Sequence, residues 1–137
     1  MGDRKRILLV DDELSIRKVI GKRLEVEGFE VFLAQDGQEA IEMARTHHPD
    51  LIILDLMLPK LSGFDVCAAL KKDGGANMIP IITMFTGKGQ DEDEERCKKL
   101  GAAAYITKSQ GAVALLAQIR SLLGEQDASS TGPLDNA

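Results

Sequence analysis

Four short apolar runs in this chain each end on residues that can do chemistry with oxygen. Leu8-Leu9-Val10 leads into Asp11-Asp12, Leu51-Ile52-Ile53-Leu54 into Asp55, Ile81 to Phe85 into Thr86-Gly87, and Tyr105-Ile106-Thr107 into Lys108. An acid that closes a run of four aliphatic residues has little structural purpose, because burying an uncompensated charge is costly. Three carboxylates converging in a small space repel one another and hold raised pKa values unless a cation neutralises them. Mg²⁺ is the natural occupant, since it takes oxygen ligands and needs only one or two carboxylates beside waters and phosphate oxygens. A carboxylate screened in this way can attack phosphorus and give an aspartyl phosphate. The new phosphate oxygens then need fixed donors and positive charge, which Lys108, the Thr86 hydroxyl and the Gly87 backbone N–H can supply.

These residues meet only if the runs that carry them are strands of one sheet. From Arg4 to Leu123 short apolar runs alternate with longer segments of helical period, five of each, which is the pattern of strand-helix units wound around a parallel sheet. The predicted strands are Ile7 to Val10, Glu30 to Leu33, Leu51 to Leu54, Ile81 to Phe85 and Ala103 to Ile106. Three of them lack clean alternation, as strands covered by helices on both faces do. The fold class is therefore α/β, a doubly wound five-stranded parallel sheet with five helices. In such sheets ligands bind beyond the carboxyl ends of the strands, near the switch in strand order. All four candidate runs end there.

The first helix is expected to bury Ile16, Val19, Ile20 and Leu24 on one stripe, with Gly28 supplying a left-handed end. A second begins at Asp36, with Glu39 completing a capping box, and turns Ala40, Ile41 and Ala44 to the core. A third follows Ser62 and buries Phe64, Cys67 and Leu70. The fourth, Asp91 to Leu100, opens with five consecutive acids and closes with Arg96, Lys98 and Lys99, an order that suits the helix dipole and reads as a solvated face. The fifth, Ala112 to Leu123, is apolar around much of its circumference, so it sits deep in the core or offers a surface to a partner. His47 and His48 close the second helix and read as surface residues rather than ligands. Residues 1–124 are predicted to form one domain, and the polar stretch 125–137 a disordered tail or the start of a linker.

Composition narrows the function further. The 137 residues, 44% hydrophobic and 28% charged, suffice for one domain with a sizeable core and no disulfide or metal staple. Cys67 and Cys97 have no disulfide or metal spacing and read as buried thiols. No run approaches the roughly 18 apolar residues of a membrane span, so a cytoplasmic, membrane-free protein is expected. Seventeen basic against twenty-two acidic residues give a net charge of −5, and the basic residues are scattered without aromatic partners. Direct nucleic-acid binding is not expected.

Taken together, Leu8-Leu9-Val10-Asp11-Asp12-Glu13, Pro49-Asp50 through Asp55 to Met57-Leu58-Pro59, Ser62-Gly63, Thr86-Gly87, Gly101-Ala102 and Tyr105-Ile106-Thr107-Lys108 resemble the receiver domain of two-component response regulators. The resemblance spans Arg4 to about Leu123. It implies a flavodoxin-like sheet in the order 2-1-3-4-5. It also implies Asp55 as phosphoacceptor, and Mg²⁺ held by Asp11, Asp12, Asp55 and the Met57 carbonyl. Thr86, Gly87 and Lys108 would contact the phosphoryl group, and Tyr105 would be a switch aromatic that turns inward as Thr86 is drawn to the phosphate. The implied partners are a phosphohistidine on a histidine kinase or phosphotransfer protein and a downstream output protein or domain. That output would read the surface of the fourth helix, fifth strand and fifth helix, and the monomer would dimerise, if at all, when phosphorylated.

The chain departs from the family pattern in three places. Lys108 precedes Ser109 where receivers usually carry a cis proline; a cis bond before a non-proline costs ~3 kcal/mol, so a trans bond or a strained one is expected. Thr86 lies one residue further from Pro80 than the pattern gives, implying an extra residue or a bulge near the fourth strand. Gly87-Lys88-Gly89 makes the following loop unusually free. Two other readings compete: a receiver-like module that binds a partner without phosphorylation, and a Mg²⁺-dependent phosphohydrolase working through an aspartyl phosphate. Haloacid-dehalogenase-like hydrolases need a second acid two residues after the nucleophile, and Met57 stands there. The expected protein is a signalling phosphoacceptor that assists only its own phosphorylation and dephosphorylation, not an enzyme.

Overall fold

Leu51–Leu54 and Ile7 to Val10 are buried at every position, odd and even alike, because helices cover both faces of the strands they form. The computed structural model describes residues 4–74, 81–87 and 91–124. Within them run β1 (Arg6–Val10), α1 (Leu14–Val26), β2 (Glu30–Ala34), α2 (Gly37–His47), β3 (Leu51–Leu54), α3 (Gly63–Gly74), β4 (Ile81–Thr86), α4 (Asp91–Lys99), β5 (Ala104–Thr107) and α5 (Gly111–Leu123). A 3-10 turn, Lys108–Gln110, joins β5 to α5. The five strands are parallel and ordered β2-β1-β3-β4-β5, the doubly wound arrangement expected from the alternation of runs.

Each face of the sheet has its own core. Leu8, Val10, Ile52, Leu54 and Met84 pack against Ala40, Ile41 and Ala44 of α2, Val66, Cys67 and Leu70 of α3 and Cys97 of α4. Ile7, Leu9, Leu51, Ile53, Phe85 and Ile106 meet Ile20 and Leu24 of α1 and Leu115, Leu116 and Ile119 of α5. The reversal of winding direction falls between β1 and β3, and opens the crevice at their carboxyl ends. Both thiols are free and buried, and desolvation pushes them up, Cys97 to about 11.

Several expectations on burial need correction. Val19 is 64% exposed: five residues beyond Leu14 it lies past the edge of the stripe that Ile16, Ile20 and Leu24 present. Phe64 is only half-buried, packed under the Arg96 guanidinium at 4.0 Å from its ring centre. On α5, Val113 is 71% exposed and Leu122 and Leu123 are partly buried, so the helix buries one face and leaves apolar side chains exposed rather than sitting deep in the core. β4 runs one residue beyond its predicted end and takes in Thr86; it pairs with β3 over Ile81 to Met84 and with β5 over Thr83 to Thr86, in continuous register and without a bulge in either ladder. The predicted free loop at Lys88-Gly89, the segment 75–80 and the tail 125–137 lie outside the described residues.

Gly28 adopts φ +100° after α1, as the sequence required. At α2 the Asp36 carboxylate accepts the Glu39 N–H at 2.8 Å, while the Glu39 carboxylate takes the N–H of Gln35, at 2.9 Å, rather than that of Asp36. Accepting the Glu39 N–H, with Lys60 nearby, holds the Asp36 carboxyl below its ordinary 3.8 despite its burial. A carboxylate whose pKa falls on folding contributes stability that is complete above the unfolded pKa and is lost as pH drops through the folded one. Asp36→Ala is therefore expected to cost about 1 kcal/mol at pH 7, with the difference from wild type shrinking in denaturant melts taken progressively below pH 3.8.

Candidate functional site

The order of the sheet brings together residues that lie far apart in the chain. Val10 of β1 pairs with Leu54 of β3, so the residues that follow, Asp11 and Asp55, leave the sheet side by side. Their backbones stay tied to it: the Asp11 N–H donates to Ala34 O at 3.1 Å and the Asp55 N–H to Val10 O at 3.3 Å. Thr86 ends β4 opposite Thr107 of β5, and Lys108 is the next residue of the chain. Thr83 is three residues inside β4, in register with Ile53, its hydroxyl buried without a partner. Gly63 opens α3 directly over the site, where a Cβ would come within 2.3 Å of Asp55 O; only glycine permits that approach.

The Lys108 side chain crosses the crevice to the acids. Its Nζ lies 2.8 Å from Asp11 Oδ2, 2.9 Å from Asp55 Oδ2 and 3.0 Å from Glu13 Oε1. The second oxygens are also held: Asp11 Oδ1 accepts the Glu13 N–H at 2.9 Å and Asp55 Oδ1 accepts the Met57 N–H at 3.2 Å. Asp11 and Asp55 are buried, at 1% and 4% exposure, while Asp12 and Glu13 face solvent. Burial raises the Asp11 carboxyl above its ordinary 3.8, and the neighbouring Asp55 charge adds to this against the pull of Lys108 and the Glu13 N–H. Burial works against the Lys108 ammonium, but hydrogen bonds to Asp11, Asp55 and Glu13 outweigh it and raise its pKa. The lysine is thus fixed in its charged form, and the acids carry more negative charge than it cancels.

That surplus suits a hard divalent cation. Oxygens of Asp11, Asp12 and Asp55 lie within 4.8 Å of one another, and two ligands of one Mg²⁺ stand at most about 4.2 Å apart. The separation is close to that scale, and the exposed Asp12 leaves the outer side of the cluster open to water. Met57, two residues beyond Asp55, lines an open depression with Asp12, Leu56, Leu58, Pro59 and Ser62.

Asp11, Asp12, Asp55, Met57, Thr86 and Lys108 thus fall at one end of the sheet, with Gly87 as the exposed residue that follows Thr86. Tyr105 lies deeper in β5, half-buried, in register with Met84 and packed on the α2-α3-α4 side. The Lys108–Ser109 peptide is trans. The sequence reading passed over Glu13 as a partner of Lys108, although it extends the acid run Asp11-Asp12. It also passed over the Thr107/Gln110 pair, whose Thr-x-x-Gln spacing is a capping-box signal.

Comparison with known proteins agrees with the motifs. Residues 7–120 match the response regulator receiver domain, and the chain belongs to this family. It is 45% identical over 121 residues to a protein described as a probable transcriptional regulator, ycf27, of Cyanophora paradoxa, covering 88% of this chain and 49% of that one. It is 38% identical over 123 residues to the polar-differentiation response regulator DivK of Brucella ovis, covering 88% of this chain and 98% of DivK. The chain spans about half the length of most curated relatives it matches. Among solved structures, a CheY-like receiver domain protein from Methanospirillum hungatei superposes with a TM-score of 0.81 at 31% identity, over 93% of this chain and 100% of that one. Receiver domains are the phosphoacceptor modules of two-component signalling and bind Mg²⁺ at an acidic pocket, and the Asp11-Asp12-Asp55 cluster could hold such an ion.

The raised Asp11 pKa has a measurable consequence. A carboxyl whose pKa rises on folding favours the folded state most at low pH, and that contribution is lost as pH rises through the folded value. In chelator at pH 7, Asp11→Asn is expected to unfold at higher denaturant than wild type, with the gain vanishing as pH falls towards the ordinary value of 3.8. Millimolar Mg²⁺ is expected to stabilise wild type and not the variant. An Asp11→Asn protein less stable than wild type in chelator at pH 7 would contradict this electrostatic picture.

Proposed function

We propose that Asp55 accepts a phosphoryl group from a phosphohistidine on a histidine kinase or phosphotransfer protein. The observation that carries this reading is the Lys108 ammonium held 2.9 Å from Asp55 Oδ2 and 2.8 Å from Asp11 Oδ2. A cation already fixed on the reacting carboxylate costs no reorganisation when phosphate charge arrives there. A carboxylate oxygen of Asp55 forms the new bond to phosphorus, the phosphorus–nitrogen bond of the donor breaks, and the imidazole leaves, taking a proton from solvent. Lys108 follows the charge from the carboxylate to a phosphoryl oxygen, and the Thr86 hydroxyl and Gly87 N–H donate to the others. Asp11, Asp12, Asp55 and the Met57 carbonyl would hold Mg²⁺, which when bound neutralises charge on the transferring oxygens.

The output follows from the same displacement. Drawing Thr86 towards the phosphoryl group vacates space beside Tyr105, which turns inward, and the α4-β5-α5 surface presented to a partner changes as a population shift. On this reading residues 1–124 form the receiver and 125–137 a tail or linker. The protein works in the cytoplasm as a monomer, through protein contacts rather than by binding nucleic acid itself, and dimerises, if at all, when phosphorylated. Met57, two residues after Asp55, cannot transfer protons, which supports a phosphoacceptor over a small-molecule phosphohydrolase.

Intact-mass analysis after incubation with acetyl phosphate and Mg²⁺ tests the reading. Wild type is expected to gain one acid-labile phosphoryl group, Asp55→Ala none, and Lys108→Ala to label about a hundredfold more slowly. Unlabelled, well-folded wild type, with phosphohistidine donors also tried, would instead indicate a module that binds its partner without phosphorylation.

A further inference from the structure

Lys108 acts only if its backbone is held at the mouth of the crevice, and β5 is the outermost strand, paired on one side alone. The residue after Lys108 is Ser109, so no proline ring fixes the chain at that step. Hydrogen bonds hold it instead. The Thr107 N–H donates to Gln110 Oε1 at 2.9 Å, and the Thr107 hydroxyl donates to the same oxygen at 3.2 Å. Thr107 and Gln110 thereby form a capping box around Lys108. The Thr107 hydroxyl also lies 3.0 Å from that of Ser109. Gln110 is at once the last residue of this turn and the N-cap of α5.

From this geometry, and resting on the phosphoacceptor reading above, we propose that Gln110, with Thr107, is a positioning residue for Lys108. It touches neither Asp55 nor the transferred group. It clamps the one-residue step on which Lys108 stands, so that the ammonium meets Asp11, Asp55 and Glu13 together. A capping box that served only to end β5 would leave the Lys108 headgroup unaffected when opened. A clamp would release it, and sub-ångström release of a group at a reaction centre is costly in rate.

Two readouts separate these roles. The first is the acylation rate of the Lys108 amine by a succinimidyl ester, followed by peptide mass mapping, which needs no phosphoryl transfer. The second is the rate of labelling by acetyl phosphate with Mg²⁺. Gln110→Ala is expected to acylate faster at Lys108 and to label about tenfold more slowly, with its unfolding midpoint little changed. Gln110→Glu keeps the accepting oxygen of a capping box and is expected to restore both. In a Lys108→Ala background, Gln110→Ala is expected to slow labelling no further. Wild-type acylation and labelling in Gln110→Ala would overturn the proposal, and so would a slowing that persists without Lys108. If Gln110→Ala fails to fold, Gln110→Leu removes the same accepting oxygen at similar volume and is read the same way. Failure of wild type itself to label would count against the phosphoacceptor reading, and the acylation rates would still decide the clamp.

Discussion

Two carboxylates buried at the ends of adjacent central strands are an electrostatic liability, and the site is organised around that fact. Asp11 and Asp55 cannot move apart, because the strands that carry them are paired through Val10 and Leu54 and their own N–H groups are bonded into the sheet edge. Water cannot relieve them fully, since both are nearly inaccessible. Protonation, a lysine or a metal must carry the balance. Lys108 supplies one charge and leaves a deficit, so the pocket remains open to a further cation and to a phosphoryl group whose charge needs both. The stability cost of the cluster and its chemistry are therefore the same interaction seen in two states.

The sheet converts this local tension into a device. Lys108 is 53 residues from Asp55 and 95 from Glu13 in the chain, and only the strand order β2-β1-β3-β4-β5 sets them within hydrogen-bonding distance. Thr86 and Tyr105 ride on β4 and β5, the strands that lead from the acids to the α4-α5 side of the molecule. On the proposed reading, a change in what Lys108 and Thr86 hold passes along these strands to the α4-β5-α5 surface.

Much of this was legible in the sequence because the strands are short, apolar and end on chemistry. Runs such as Leu51 to Leu54 leave little choice of element, and a parallel sheet fixes at which end their terminal residues emerge. Burial on helix surfaces was harder to read: Val19 fits an apolar stripe by residue type, yet α1 turns it to solvent, because a single helix does not reveal the width of the groove it fills. The loop after β5 was the least legible part. A family pattern built on proline says nothing of how Thr107, Ser109 and Gln110 replace it, and the hydrogen bonds that do so depend on side-chain geometry. Glu13 was hidden for a similar reason: its contact with Lys108 spans the crevice, and no local periodicity encodes it.

The proposed reading assigns the phosphoryl group to Asp55 and to neither Asp11 nor Asp12. The most direct measurement is borohydride reduction of the protein phosphorylated in Mg²⁺, followed by peptide sequencing by mass spectrometry. Reduction converts an aspartyl phosphate to homoserine and leaves unmodified carboxylates alone. The account predicts homoserine at position 55 only, and none when Mg²⁺ is chelated before the donor is added. Homoserine at Asp11 or Asp12, or a phosphoryl group that survives acid and yields no homoserine, would contradict it.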